Sequence, residues 1–170
     1  MTVTAVRKDT DALTMTVSAE FDATPERIWQ LWADPRQLER WWGPPTYPAT
    51  FTEHDLTPGS HVAYYMTGPA GDQPHGYWEI VEADPPRTLV IRDGFSDDNG
   101  KPNPDLPIMT MHVTIADIGE GRTRMSIETL FPNAQAMEQL VAMGMEEGFK
   151  EAVGQIDAIL TEQPVSQASR

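Results

Sequence analysis

The sequence predicts an α+β domain in which a curved antiparallel sheet is covered by one long amphipathic helix. Three observations carry that expectation. Alternating apolar and polar residues mark a strand at 13–21 and a series of strands over 47–131. Two short helices with complete start signals separate the first strand from the others. An apolar stripe at helical spacing then runs from residue 133 to about 161.

Each element follows from its residues. Leu13, Met15, Val17, Ala19 and Phe21 alternate with Thr14, Thr16, Ser18 and Glu20, the period-2 pattern of a half-buried strand. Thr24-Pro25-Glu26 supplies a helix N-cap, a proline at the first helical position and an acid in the first turn. Ile28, Trp29, Leu31 and Trp32 form the stripe of that helix, with both tryptophans read as core. Asp34-Pro35 repeats the signal for a second short helix bearing Leu38, Trp41 and Trp42, and Gly43-Pro44-Pro45 stops it. Strands are expected at 49–56, 61–67, 76–82, 88–93, 108–118 and 122–131, joined by turns such as Pro58-Gly59 and Gly119-Glu120-Gly121. The connection 96–107 is long and polar, the mark of a functional or mobile loop. Met137, Val141, Met145, Phe149, Val153, Ile156 and Leu160 make the inner face of the last helix, with Asn133 as its N-cap. Residues 1–11 read as a flexible lead, 12–162 as the domain and 163–170 as a polar tail.

One helix of about 10 Å diameter does not fill the concave side of a wide, twisted sheet, so a cavity is expected between them. Composition narrows what it could hold. The chain has 170 residues, 39% of them hydrophobic, enough for a real core. Twelve basic against 26 acidic residues leave a net charge of −14, which disfavours nucleic acid and membrane surfaces as partners. The absence of cysteine removes disulfides, thiolate metal sites and Cys nucleophiles. No stretch approaches the roughly 18 apolar residues of a membrane helix, and the first residues hold no secretory signal core. A soluble, cytoplasmic protein without a cofactor is therefore expected.

The run Phe21-Asp22-Ala23-Thr24-Pro25-Glu26-Arg27-Ile28-Trp29, with Trp32-Ala33-Asp34-Pro35 and Leu38-Glu39-Arg40-Trp41-Trp42-Gly43-Pro44, resembles the opening of the activator of heat shock protein 90 ATPase homologue family. Asp55-Leu56 with Pro58-Gly59, Pro85-Pro86-Arg87 with Leu89-Val90, and Met145-Glu146-Glu147-Gly148-Phe149 agree in order. The resemblance spans about residues 13–161 and implies the helix-grip fold of the START-like (SRPBCC) superfamily, a Bet v-like curved sheet of six to seven strands around a C-terminal helix. Phe149 stands where a tryptophan is usual, and Ser60 where a second glycine is common. The family shares no single ligand and no catalytic residues. Its co-chaperone members carry an extra chaperone-binding domain, which makes a chaperone-activating role the less expected one here.

Strand phase assigns the cavity wall. Val62, Tyr64 and Met66 share one face, as do Gly76, Trp78 and Ile80, then Leu89, Ile91 and Asp93, and then Met109, Met111, Val113 and Ile115. The expected ligand-binding wall is Tyr64, Met66, Trp78, Met111, Met145 and Phe149, with Trp42 and the loop 96–107 at the entrance. Such a chamber suits a flat or elongated hydrophobic or aromatic small molecule. Trp41 and Trp42 project about 100° apart on a helix, so both cannot face the core equally. Gly144 and Gly148, four apart in the last helix, point to close packing on the sheet or to room for a ligand.

Among polar residues, His75 at the rim and Asp93 are the catalytic candidates, should the pocket serve a polyketide cyclase/dehydratase-like enzyme. Asp93 is either an inward carboxyl or the first residue of an Asp93-Gly94 turn that ends its strand. His112 is expected to be exposed, and Glu53 and Asp55 point away from His54, so no metal site is expected. No nucleophile elbow, phosphate loop or dinucleotide fingerprint is present in the sequence. A co-chaperone-like protein-interaction module is a third reading. Tyr65 and Tyr77 on the outer sheet face would permit a homodimer.

Overall fold

The computed structural model describes residues 3–168, with side chains over 5–162. The chain runs β1 (Val3–Asp9), β2 (Thr14–Phe21), α1 (Pro25–Ala33), α2 (Pro35–Trp41), β3 (Ala49–Glu53), β4 (His61–Met66), β5 (His75–Asp84), β6 (Thr88–Ser96), β7 (Met109–Gly119), β8 (Arg122–Leu130), α3 (Ala134–Ala142), α4 (Met145–Gly154) and α5 (Ile156–Ala168). Among the described residues, eight strands form one sheet in the order β1-β2-β8-β7-β6-β5-β4-β3. Every neighbouring pair is antiparallel. The expected α+β architecture is the one observed, with an eighth strand added. That strand, β1, occupies most of the segment read as a flexible lead: Val6 pairs with Val17 and Lys8 with Met15.

The two short helices begin as their sequences dictate. Thr24 caps α1 by accepting from the Arg27 N–H, and Asp34 caps α2 by accepting from the Arg36 N–H. Together they hold the tryptophan cluster. Trp32, Trp41 and Trp78 are fully buried, Trp32 meets Trp41 edge-to-face at 4.8 Å, and the Trp41 indole donates to the Leu31 carbonyl at 2.9 Å. Trp42 is buried as well, although the two adjacent residues were not expected to face the core equally. The helix ends at Trp41, and Trp42, as its C-cap, turns its ring between Trp78 on the sheet and Phe149 on α4.

The long terminal helix departs most from expectation. It is broken after α3 at Gly144, which adopts a left-handed φ of +92°. Only glycine takes that conformation without strain. The second junction is milder, because Gln155 stays right-handed and α5 continues the course of α4 to Ala168, over most of the segment read as a tail. Gln155 also pins this junction to the end of α2, donating to the Gly43 carbonyl at 2.6 Å. Among the described residues no helix is long and apolar enough to cross a membrane.

A cavity between sheet and helices with one buried carboxyl

The break at Gly144 opens a cavity of about 270 Å³ between the inner sheet face and the α3–α4 junction. Four groups of residues enclose it. Tyr64 and Met66 come from β4, and Asp93, Phe95 and Met109 from the adjoining ends of β6 and β7. Trp42 and Pro44 follow α2. Leu140, Met143 and Gly144 close the α3 side, and Met145, Gly148, Phe149 and Ala152 form one face of α4 at helical spacing. Met143 is 61% exposed and stands at the mouth.

Of the wall expected from sequence, Tyr64, Met66, Met145 and Phe149 meet in this cavity, joined by Trp42, which was expected at the entrance, and Trp78 and Met111 do not. Both of those are on the expected face but fully buried one layer deeper, where the Trp42 ring covers Trp78 at 4.9 Å. Strand alternation reports the face of a residue and not its depth. Phe95 was missed because β6 continues through Asp93-Gly94 to Ser96, so that no turn forms there. Gly144 and Gly148 do not pack closely. A Cβ built on either meets nothing within 4 Å, so both leave open space beside the cavity.

Asp93 faces inward and is only 9% exposed. Its Oδ1 accepts a hydrogen bond from the Tyr64 hydroxyl at 3.0 Å, and among the described residues none donates to its other oxygen. Burial pushes the Asp93 carboxyl up to about 7, against the opposing pull of the Tyr64 hydrogen bond. Burial, followed by the neighbouring Asp93, drives the Tyr64 phenol well above its ordinary value, so it remains a donor. The Trp42 and Trp78 indole N–H groups lie near enough to Tyr64 to favour its ionised form, yet neither reaches hydrogen-bond geometry with any described residue.

The other candidates lie elsewhere. His75 is on the outer face, its Nδ1 2.8 Å from the Gln73 carbonyl oxygen and its ring 5.3 Å from Tyr65, so it does not reach the cavity. No residue of the loop 96–107, expected at the entrance, is among those that line the cavity. Ser96 bridges Pro102, Asp97 accepts from the Asn99 and Lys101 N–H groups, and Asp98, Asn99 and Gly100 border an outer-face groove beside His75 and Tyr77. Tyr77 is itself buried, lying over Gly94, whose added Cβ would stand 2.7 Å from the ring; it is not the exposed aromatic expected of a dimer face. His112 is exposed, and the His54 ring bonds the Trp32 carbonyl at 2.9 Å. Among the described residues no group of three or more His, Asp or Glu is placed to hold a metal.

A curved antiparallel sheet gripping C-terminal helices, with a cavity between them, defines a helix-grip domain of the START-like class. Within that class the chain belongs to the Activator of Hsp90 ATPase homolog 1-like protein family, whose sequence pattern matches residues 22–161. It is similar to the crystal structure of protein Ms6760 from Mycobacterium smegmatis, at 48% identity and a TM-score of 0.87, covering 94% of this chain and 98% of that one. It is equally similar to a protein from Arthrobacter aurescens solved in solution, at 48% identity and a TM-score of 0.90, covering 95% and 93%. CalU16 from Micromonospora echinospora shares the fold alone, at 17% identity and a TM-score of 0.58, over 95% of this chain and 86% of that one. No curated protein matches the chain.

Proposed function

We propose that this protein binds a small hydrophobic molecule in the cavity between its sheet and C-terminal helices. The supporting observation is the wall itself: rings of Trp42, Tyr64, Phe95 and Phe149 and the thioethers of Met66, Met109 and Met145 surround open space. Apolar surface left unburied inside a domain costs stability that a ligand of matching shape restores. Trp42 lies on the wall and reports occupancy. Titration with a lipophilic library is expected to quench tryptophan emission saturably and raise the melting temperature. If no compound class does either, the binding reading fails.

A second reading, an enzyme of the cyclase or dehydratase type, has one observation in its favour. Asp93, with a carboxyl near neutrality and a tyrosine donor beside it, is equipped to give or take a proton inside an apolar pocket. Turnover that survives Asp93→Asn would remove that reading.

A further inference from the structure

We propose that the ligand of this cavity is a lipophilic amine, bound with its protonated nitrogen on the free oxygen of Asp93 and its apolar body against the aromatic and thioether wall. This ligand class presupposes the binding reading above.

Four observations converge on it. Among the described residues lining the cavity there is no Lys, Arg or His, and Asp93 is the one carboxyl. An anionic ligand would meet that carboxyl with no counter-charge nearby. The Asp93 oxygen not held by Tyr64 has no donor among the described residues, so a purely hydrocarbon ligand would seal an unmatched acceptor into an apolar space. An ammonium group supplies the missing donor and the opposite charge together. The remaining wall attracts cations in its own right: Trp42 stands edge-to-face with Phe149 at 6.0 Å and with Tyr64 at 6.2 Å, so ring faces turn in several directions around the space. Finally, the net charge of −14 raises the local concentration of cations and lowers that of anions. The volume of about 270 Å³ suits a body of roughly one or two fused rings.

Proton release follows from the same geometry. Cation binding draws Asp93 into its carboxylate form, so at neutral pH the amine enters as a proton leaves. Few groups compete for that role. Tyr64 faces Asp93 from β4 and stays neutral; Tyr77 lies on the opposite face of the sheet. Of the charged residues of α4, Glu146 pairs with Lys8, Glu147 pairs with Lys150, and Glu151 is exposed to solvent.

The test uses the full chain and three probes with one aromatic body: naphthylethylamine, naphthylethanol and naphthylacetate, titrated calorimetrically. At pH 8 the amine should bind at least about tenfold more tightly than the alcohol, and the acetate most weakly. Between pH 8 and pH 5 the amine should lose its advantage while the alcohol's affinity stays level. At pH 7 the amine's binding heat alone should vary with the ionisation heat of the buffer, the sign of proton release. Asp93→Asn should reduce the amine-to-alcohol ratio to near one. Equal affinity of amine and alcohol, or an amine preference that persists in Asp93→Asn, overturns the proposal and leaves the binding reading standing. If neither these probes nor the lipophilic library binds, both fail. Should the variant not fold, the pH profile and proton release of the wild-type chain decide.

Discussion

Gly76 stands opposite Tyr64 in the β4–β5 ladder, and its missing side chain is the space that the Tyr64 ring occupies. A Cβ added there would lie 2.5 Å from both the Tyr64 hydroxyl oxygen and the adjoining ring carbon. The ring passes over the backbone of β5 at this point and delivers its hydroxyl to Asp93 on β6. Gly76→Ala is therefore expected to displace Tyr64 and cost roughly 1–3 kcal/mol of stability. Losing the Tyr64 hydrogen bond, which holds the Asp93 carboxyl down, should also raise that carboxyl further. Denaturant unfolding measures the first effect, and carboxyl titration by NMR the second. A variant as stable as wild type would show that the sheet relaxes around the clash at little cost.

Asp93 makes the fold's stability depend on pH in an unusual direction. Its folded value of about 7 lies above the ordinary carboxyl range near 3.9, so between these limits the folded chain holds a proton that the unfolded chain has lost. Stability from this group is fully present below the unfolded value and is lost as pH rises through the folded one. The difference amounts to roughly 4 kcal/mol above neutrality, taking about 1.36 kcal/mol per unit. Glu20, Asp55, Asp97 and Glu146 act oppositely: hydrogen-bonded donors hold them low, and their contribution fades on acidification. The comparison that isolates Asp93 is therefore Asp93→Asn against wild type. The variant should gain stability at pH 8 relative to its difference at pH 5, in unfolding experiments without ligand. A difference that does not change with pH would mean the buried carboxyl is not the group in question.

Much of this arrangement was legible in the amino-acid sequence, because burial imposes a period on strands. Alternation placed Val62, Tyr64, Trp78, Ile91, Asp93 and Met109 on the inner face, where the structure has them. Depth along that face was not legible. Trp78 and Met111 share the phase of wall residues yet lie under other side chains, since layer depends on which helix crosses which strand. Asp93-Gly94 reads locally as a turn, and the ladder of β6 with β5 overrides it, pairing Gly94 with Tyr77. β1 was hidden by its composition, with Arg7, Lys8 and Asp9 suited to an exposed edge strand. The break at Gly144 was hidden by the apolar stripe itself, which continues across it through Val141 and Met145.

Gly144 and Gly148 look alike in sequence but should respond oppositely to alanine. Gly144 carries a left-handed φ of +92°, where an alanine costs roughly 1–2 kcal/mol. Gly148 lies within α4, and nothing within 4 Å opposes a Cβ, so alanine there should stabilise by about 1 kcal/mol through helix propensity alone. Thermal unfolding of the two variants should bracket wild type. Two shifts of the same sign would contradict the placement of the helix break.

Because Gly148 shares the cavity-lining face of α4 with Met145, Phe149 and Ala152, a larger side chain at this position grows into the space the ligand needs. Gly148→Leu keeps a good helix former, removes the conformational cost of glycine and adds apolar surface to an apolar wall. The variant should therefore melt at or above the wild-type temperature while losing most of its capacity for any ligand that quenches Trp42. Gly148→Ala, with one added methyl group, should fall between the two in affinity. Together these variants separate occupancy of the cavity from integrity of the fold, because binding and stability are expected to move in opposite directions. Full retention of ligand affinity in Gly148→Leu would place the binding site outside this cavity.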